Sequence, residues 1–158
     1  TDYEKESRNV EVRFGRTDEM PRQAIRLTTE EFYPVCSPIA AEADKHWESA
    51  NLFESPAASC TWKAWLNSDN IMLPNDAHIS RSSTFQMTFI AAEAGVGMAI
   101  GHDTLVNDLI VKGRLIAPFS HRAPMVEGYF LVDVQEHAQS DATRLFCDWI
   151  KAEFLEEQ

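Results

Sequence analysis

The sequence has few basic residues, and this shortage excludes one class of function. Lysine and arginine together number 14 against 25 acidic residues, which gives a formal net charge of −11. A nucleic-acid polyanion is repelled by such a field unless a basic cluster offsets it, and the sequence contains no Lys/Arg cluster. Direct binding of DNA or RNA by these residues is therefore not expected.

Long apolar runs and paired cysteines are also missing. No run approaches the ~20 residues that cross a bilayer, and residues 1–9 are too polar for a secretion signal. The three cysteines, Cys36, Cys60 and Cys147, are odd in number and far apart, which fits a reducing compartment better than a disulfide framework. We therefore predict a cytoplasmic protein without a membrane segment.

The sequence also lacks recognisable motifs for metal binding, phosphate binding or nucleophilic catalysis. The five histidines are scattered, without the i, i+4 spacing of metal ligands, and there is no Walker loop. The glycines from Gly95 to Gly101 follow a predicted helix instead of opening one, which is the wrong context for a dinucleotide turn. Cys36 has no neighbouring base and is interpreted as a small buried residue. We predict no metal, no cofactor and no catalytic residue, while an α/β enzyme with an unrecognised site stays open as an alternative.

What the sequence does contain is an alternation of strand and helix patterns. Apolar alternation and short apolar runs predict strands at residues 10–14, 24–27, 31–35, 77–80, 96–100, 115–116 and 129–134. Helical spacing predicts helices at residues 39–47 and 62–66, after Ser83, after Asp103 and after Ser140. Strands that alternate with helices predict an α/β fold in which at least part of the sheet is parallel.

The three later helices carry the clearest signals. Ser83 and Gln86 have the spacing of a capping box, and Gly95 is a natural stop. The predicted buried face of that helix consists of Met87, Ile90, Ala91 and Ala94. Asp103 is predicted to cap the next helix, which would end at Gly113 and turn inward Leu105, Val106, Leu109 and Ile110. For the terminal helix, capped by Ser140, the predicted inner face is Leu145, Phe146, Trp149, Ile150 and Phe154.

Seven segments match, in their order, the motifs of one known protein family. Residues 9–15 are similar to the family's DVAIRFG strand, and residues 27–38 resemble its LxxExxxPVCSP segment. The remaining matches are residues 62–66 (WxxWL), 82–101 (SSxxxxxAAxAGxGVALG), 112–119 (xGRLVxPF), 128–132 (the returning strand) and 146–153 (FxxWLxxE). Their order and spacing are more specific than any single piece, and together they resemble the effector-binding region of LysR-type transcription regulators. The subgroup that they resemble includes activators of glycine-cleavage and β-lactamase genes.

The resemblance implies a fold like that of type 2 periplasmic binding proteins, with two Rossmann-like lobes joined by two crossing strands. Residues 1–16 and 125–158 would form part of the first lobe, regulatory subdomain I, and residues 17–124 the complete second lobe, regulatory subdomain II. The family's helix-turn-helix, linker helix and first βα units are not in the sequence. The resemblance therefore implies an N-terminally truncated chain with an incomplete first lobe.

The function that the resemblance implies is sensing, not catalysis. The chain would bind a small-molecule effector between its lobes and so control DNA binding and transcription by a bacterial regulator. The full-length protein would be a homodimer or tetramer and would reach DNA only through the absent helix-turn-helix. A solute-binding protein of the same fold is the alternative, against which the polar start of the chain argues.

Six residues are candidates for effector binding. The first three lie at a predicted helix start, where the family places polar ligand contacts and where free amides suit an anionic or polar effector: Ser82, Ser83 and Thr84. Arg13 and Arg16 lie on or beside the first crossing strand and can pair with a carboxylate, and Tyr129 can present its hydroxyl from the returning strand. Each also has a plainer interpretation, as a helix cap, a solvated arginine or a half-buried strand tyrosine.

Overall fold

The computed structural model describes residues 10–43, 50–56, 58–73, 75, 77–133 and 140–155. Its strands are β1 (Val10–Arg16), β2 (Ile25–Arg26), β3 (Glu31–Val35), β4 (Leu52–Glu54), β5 (Ile79–Arg81), β6 (Met98–His102), β7 (Ala123–Pro124) and β8 (Glu127–Asp133). Its helices are α1 (Pro38–Ala43), α2 (Trp62–Ser68), α3 (Phe85–Glu93), α4 (Asp103–Val111) and α5 (Asp141–Leu155). The predicted α/β alternation is confirmed. The rest of the helix predicted at residues 39–47 lies outside the described residues.

The chain divides into two compact units. Within the described residues, unit 1 combines residues 10–29 with residues 126–133 and 140–155, and unit 2 is Glu30–Met125. The chain therefore passes from one unit to the other at Thr29–Glu30 and again at Met125–Val126. The first crossing falls later than the boundary predicted after residue 16, because β2 adds to the sheet of unit 1.

Unit 1 is a three-stranded antiparallel sheet with α5. The strand order is β1-β8-β2, and β1 pairs with β8 from Val10↔Asp133 to Arg16↔Glu127. The predicted strands at residues 10–14 and 129–134 thus run side by side, with Val134 outside the described residues. The buried core of this unit is small and consists of Leu27, Leu131, Cys147 and Ile150.

Unit 2 is built on a five-stranded mixed sheet of order β5-β4-β6-β3-β7. Strand β4 is parallel to both β5 and β6, whereas β3 is antiparallel to β6 and β7, so the prediction of a partly parallel sheet is confirmed. Its core cluster is formed by Tyr33, Val35, Phe89, Ala92, Ala99, Val106 and Leu115. The strand predicted at residues 115–116 is wrong, because only one isolated bridge, Cys36↔Ile116, forms there.

The start and the buried face of α3 both differ from the prediction. The N-cap residue is Thr84 and not Ser83, and no side-chain cap is made, so the capping box is wrong. Met87 and Ile90 are 58% and 54% exposed, and the helix instead buries Thr88, Phe89 and Ala92. The apolar residues of α3 lie on nearly all sides, so their spacing does not single out one face. Thr88 can be buried because its hydroxyl donates to the Phe85 carbonyl at 2.7 Å.

The boundaries of α4 and α5 follow the predicted signals more closely. Gly95 after α3 and Gly113 after α4 adopt the left-handed φ of 74° and 68° that favours glycine at a helix end. Ser140 caps α5, with its Oγ accepting from the Thr143 amide at 3.2 Å. Asp103 does not cap α4, since His102 is the N-cap residue and makes no side-chain cap.

The predicted inner faces of α4 and α5 fare differently. In α4, Val106 is buried and Leu105, Leu109 and Ile110 pack against the core, as predicted. In α5, only Ile150 of the five predicted residues is buried, and Cys147 is buried beside it. The other four are exposed by between 36% and 67%: Leu145, Phe146, Trp149 and Phe154.

Candidate functional site

The carboxyl ends of the parallel strands in unit 2 define one edge of its sheet. Strands β4, β5 and β6 run in the same direction and end at Glu54, Arg81 and His102. In open α/β sheets, ligands bind outside this edge, where the loops that follow the strands present polar groups. The segment Ser82, Ser83 and Thr84, which we name the β5–α3 loop, connects β5 directly to α3 at this edge.

A buried glutamate fixes the position of this loop. The Glu54 side chain accepts from the Arg81 Nε at 2.9 Å and from the Trp62 amide at 3.0 Å, although Glu54 is only 3% exposed. The Ser82 amide donates to the Glu54 carbonyl at 3.1 Å. A buried carboxylate is tolerated only when it is paired and hydrogen-bonded, and here the pairing of Glu54 with Arg81 joins the carboxyl ends of β4 and β5.

The start of α3 differs electrostatically from the starts of α2 and α4. The Thr61 hydroxyl caps α2 by accepting from the Ala64 amide at 3.2 Å, and the Glu30 carboxylate accepts from the Thr104 amide of α4 at 3.0 Å. Helix α3 has neither a side-chain cap from Thr84 nor an acidic residue in its first turn. Neither a capping side chain from Thr84 nor a first-turn acid therefore compensates the partial positive charge at the start of α3. The side chains of Ser83 and Thr84 beside it are exposed.

The other predicted site residues lie in unit 1, and each has a partner there. Arg13 pairs with Glu11 at 2.6 Å, and Arg16 pairs with Asp18 at 2.9 Å. The hydrogen bond between Arg16 and Asp18 raises the pKa of the guanidinium and lowers the pKa of the carboxyl group. Both arginines are thus engaged by a neighbouring acid in the same segment of chain.

Tyr129 lies across from Phe14 in the β1–β8 register, and their ring centroids are 5.0 Å apart. Successive side chains of a strand point to opposite faces, and directly paired residues share a face. Arg13 therefore belongs to the opposite face of the sheet from Tyr129, while Arg16 shares the face of Tyr129. Three of the six predicted residues thus lie in the β5–α3 loop of unit 2, and the three in unit 1 are divided between the two faces of the β1–β8 pair.

Sequence reasoning missed the role of Glu54. It also missed a buried pair in which the Glu30 carboxylate lies 2.7 Å from the His102 Nδ1. Strand β4 was not predicted at all, because Leu52-Phe53 is a very short apolar signal before Pro56. This three-residue strand nevertheless lies between β5 and β6 in the sheet, with Leu52 and Glu54 buried on one face and Phe53 partly buried on the other. No local pattern identifies a glutamate that will be buried, since its partners come from distant segments.

Two features that resemble catalytic groups do not have catalytic geometry. The Ser68 Oγ lies 2.7 Å from the His121 Nε2, but the same hydroxyl donates to the Trp65 carbonyl at 2.7 Å, so its proton is not directed to the imidazole. Cys36 is 1% exposed, and burial raises the pKa of its thiol. It is the small buried cysteine that the sequence predicted.

The described parts of the chain contain neither a metal-binding cluster nor a membrane-spanning helix. No group of three or more His, Cys, Asp or Glu side chains there is arranged to hold a metal ion. None of the helices described is both long and apolar enough to cross a membrane.

Sequence and structure comparisons agree on the class of protein to which this geometry belongs. The profile of the family described as LysR substrate binding domain matches residues 7–155. The chain belongs to this family and is the effector-binding domain of a LysR-type regulator. The family consists of ligand-binding domains of transcription regulators and is not a family of enzymes.

Individual relatives give the extent of the similarity. The chain is 26% identical over 153 residues to the HTH-type transcriptional regulator PerR of Escherichia coli, covering 94% of this chain and 51% of that protein. It is 29% identical over 90 residues to the activator AmpR of Enterobacter cloacae, covering 56% of this chain and 31% of that protein. The chain thus spans about half the length of the first relative.

Solved structures share the fold at low sequence identity. The AmpR effector-binding domain of Citrobacter freundii superposes with a TM-score of 0.76 at 20% identity, covering 94% of this chain and 75% of that chain. The regulatory domain of CrgA from Neisseria meningitidis superposes with a TM-score of 0.66 at 19% identity, covering 92% and 75%. These likenesses confirm the predicted periplasmic-binding-protein-like fold.

Proposed function

We propose that this domain senses a small polar or anionic effector through the β5–α3 loop and that it catalyses no reaction. The observation that carries the proposal is the start of α3: uncapped by Thr84, lacking a first-turn acid, and flanked by two exposed hydroxyl side chains. A ligand carboxylate or phosphate placed there would accept hydrogen bonds from first-turn amides and hydroxyls together. Such convergence of donors favours a charged acceptor over an apolar ligand.

The proposed role in the cell is control of transcription by a cytoplasmic regulator. Relatives that match this chain are named HTH-type regulators, and the net charge of −11 leaves contact with DNA to a separate basic domain. In the full-length protein, a homodimer or tetramer would carry the effector signal to that domain. Effector binding would act by favouring one of two conformations of the regulator.

Nuclear magnetic resonance titration of this chain with small carboxylates and phosphates tests the site. We expect saturable shifts at the amides of Ser83 and Thr84, because these groups would donate to the anion, whereas the Ser82 amide already donates to the Glu54 carbonyl. Ser83→Ala and Thr84→Ala should each weaken binding by about fivefold to tenfold, as expected for loss of one hydrogen bond. Ser120→Ala, at an exposed serine outside the loop, is the matched control and should leave the affinity unchanged.

Unit 1 supplies the second arm of the same titration. Arg13→Ala, Arg16→Ala and Tyr129→Phe test the remaining predicted contacts one at a time. A contact with the effector predicts weaker binding for that variant alone, with an unchanged free energy of unfolding. Equal affinity in Ser83→Ala, Thr84→Ala and the Ser120→Ala control would remove the β5–α3 loop from the effector site.

A further inference from the structure

Both chain crossings meet at one residue of unit 2. Glu30 is the first residue after the first crossing, and Met125 is the last residue before the second. The Met125 amide donates to the Glu30 carbonyl at 2.9 Å, and β3 and β7 continue this pairing at Glu31↔Pro124. Contacts that fix the position of Glu30 therefore also fix the position of Met125 at the second crossing.

The side chain of Glu30 is held by the beginning of α4. Glu30 is 1% exposed, and its carboxylate accepts from the His102 Nδ1 at 2.7 Å, from the Thr104 amide at 3.0 Å and from the Thr104 hydroxyl. A carboxylate only accepts, so Nδ1 of His102 donates. In return, the Asp103 carboxylate accepts from the Glu31 amide at 2.8 Å. A buried charge requires such donors, so the position of the carboxylate is closely fixed.

His102 also contacts the helix that follows the β5–α3 loop. Its ring packs edge-on against the ring of Phe85, with centroids 5.7 Å apart and planes at 85°. Phe85 is the first residue of α3 and directly follows Thr84. The imidazole is 1% exposed, so it touches Phe85 and Glu30 within a packed interior. A displacement of Phe85 towards the enclosed imidazole therefore moves the ring.

We propose that His102 is a positioning residue that couples the β5–α3 loop to the two chain crossings. The coupling runs from Phe85 through the imidazole to the Glu30 carboxylate, and from the Glu30 backbone to Met125. Its regulatory meaning rests on the proposed function of the loop, whereas the coupling itself is a property of these contacts. An effector that moved the start of α3 would thereby change the hydrogen bonds at the points where the chain leaves unit 2.

Two substitutions at one position separate the two contacts of the imidazole. His102→Asn keeps a donor close to the position of Nδ1 but removes the ring that Phe85 touches. His102→Phe keeps a ring but removes the donor. The readout is hydrogen exchange at the amides of Met125 and Thr104, taken relative to the core amide of Ile100 in the same variant. We expect exchange to be faster by about tenfold in His102→Phe, which loses the donor to Glu30, and by only about threefold in His102→Asn, which keeps a donor and loses the contact with Phe85.

The coupling is then tested by changing Phe85 in both backgrounds. Phe85→Leu should speed exchange at Met125 and Thr104 in the wild-type chain by about threefold or more, the size expected for a lost aromatic contact. In the His102→Asn background, the same substitution should have no further effect on these two amides. Phe53→Leu is the matched control, because Phe53 packs on the same core without a ring contact to His102.

Several outcomes would overturn the proposal. An equal effect of Phe85→Leu in the wild-type and His102→Asn chains would show that the coupling bypasses His102. An equal effect of Phe53→Leu and Phe85→Leu would reduce it to general loosening of the core.

If His102→Phe fails to fold, Thr104→Val removes another donor to Glu30 and should still speed exchange at Met125. An unchanged Met125 amide in Thr104→Val would mean that the carboxylate does not hold the crossing. A failed anion titration, by contrast, would remove the effector role of the loop and leave this exchange coupling intact.

Discussion

Unit 2 and unit 1 use tryptophan-containing helices in opposite ways. In unit 2, Trp62 and Trp65 of α2 are 0% and 2% exposed, whereas Trp149 of α5 in unit 1 is 58% exposed. Unit 2 is one continuous segment with a five-stranded sheet, and unit 1 joins two separate segments on three strands. The spacing of apolar residues therefore shows which side of a helix could be buried. Whether that side is buried depends on the strands that pack against the helix.

The largest expected effect comes from the same substitution made in both helices. Trp65→Ala should lower the free energy of unfolding by about 3–5 kcal/mol, because it leaves a cavity among Trp62, Phe119 and His121. Trp149→Ala should lower it by less than about 1 kcal/mol, because most of that ring is already in water. Urea denaturation followed by circular dichroism measures both.

These two substitutions test directly whether the two helices differ in burial. A loss for Trp149→Ala as large as that for Trp65→Ala would mean that the exposed side of α5 is covered in solution. Repeating the measurement over a range of protein concentrations would then distinguish cover by a second copy from cover within one chain.

A second expected difference concerns glycines that approach other groups closely. A Cβ added at Gly97 in unit 2 would overlap the backbone carbonyl oxygen of Asn51, and backbone cannot move aside. Gly97→Ala should therefore cost about 3 kcal/mol of unfolding free energy. At Gly15 in unit 1 the added Cβ would meet the terminal methyl of Met20 at 2.6 Å, which is the far end of a flexible side chain.

Gly15→Ala is thus the matched control and should cost less than about 1 kcal/mol by the same denaturation measurement. A larger loss for Gly15→Ala than for Gly97→Ala would show that the edge of unit 1 is the less tolerant of the two. It would also show that the approach of Gly97 to Asn51 is looser than the structure indicates.

The sequence predicted features that depend on local residues and failed for features that depend on packing between distant segments. Helix ends were predictable because Gly95, Gly113 and Ser140 act through their own backbone or first turn. The face of α3 was not, because Met87 and Ile90 are as apolar as Phe89 and the packing of β4 and β6 selects among them. The face of α5 was predicted as a stripe, but spacing alone carries no information about what covers it.

The candidate site shows the same contrast between local and distant information. Ser82, Ser83 and Thr84 were singled out from a resemblance and lie where a strand meets a helix. Their supports, Glu54 and the Glu30–His102 pair, depend on partners far away along the chain, since Glu30 and His102 are 72 residues apart. Sequence periodicity cannot supply such pairings, which arise only when the sheet order is known.

A smaller effect is expected from the buried tyrosine of the unit 2 core. Burial, followed by the nearby Asp103, raises the pKa of Tyr33 from 10.0 to about 12. The folded chain therefore keeps this proton after the unfolded chain has lost it. Stability from this group is complete below pH 10 and is lost as the pH rises towards 12, by on the order of 2 kcal/mol.

Tyr33→Phe isolates this contribution. The difference in unfolding free energy between wild type and variant should be constant up to about pH 10 and should change in favour of the variant above it. Denaturation at a series of pH values up to 12 measures the difference. A difference that stays constant over the whole range would show that Tyr33 titrates alike in the folded and unfolded chain.

The smallest expected effect on stability is again in unit 1, on the exposed side of α5. Leu145 is 67% exposed, so Leu145→Gln should change the free energy of unfolding by no more than about 0.5 kcal/mol. The same change removes apolar surface next to Phe146 and Trp149, and should therefore reduce self-association and the binding of a hydrophobic dye. Light scattering and dye fluorescence measure this, with Asp148→Asn as a control at an exposed polar position of the same helix.

A marked loss of stability in Leu145→Gln, without any change in association, would place Leu145 in a packed interior. The contrast between the two units would then no longer hold.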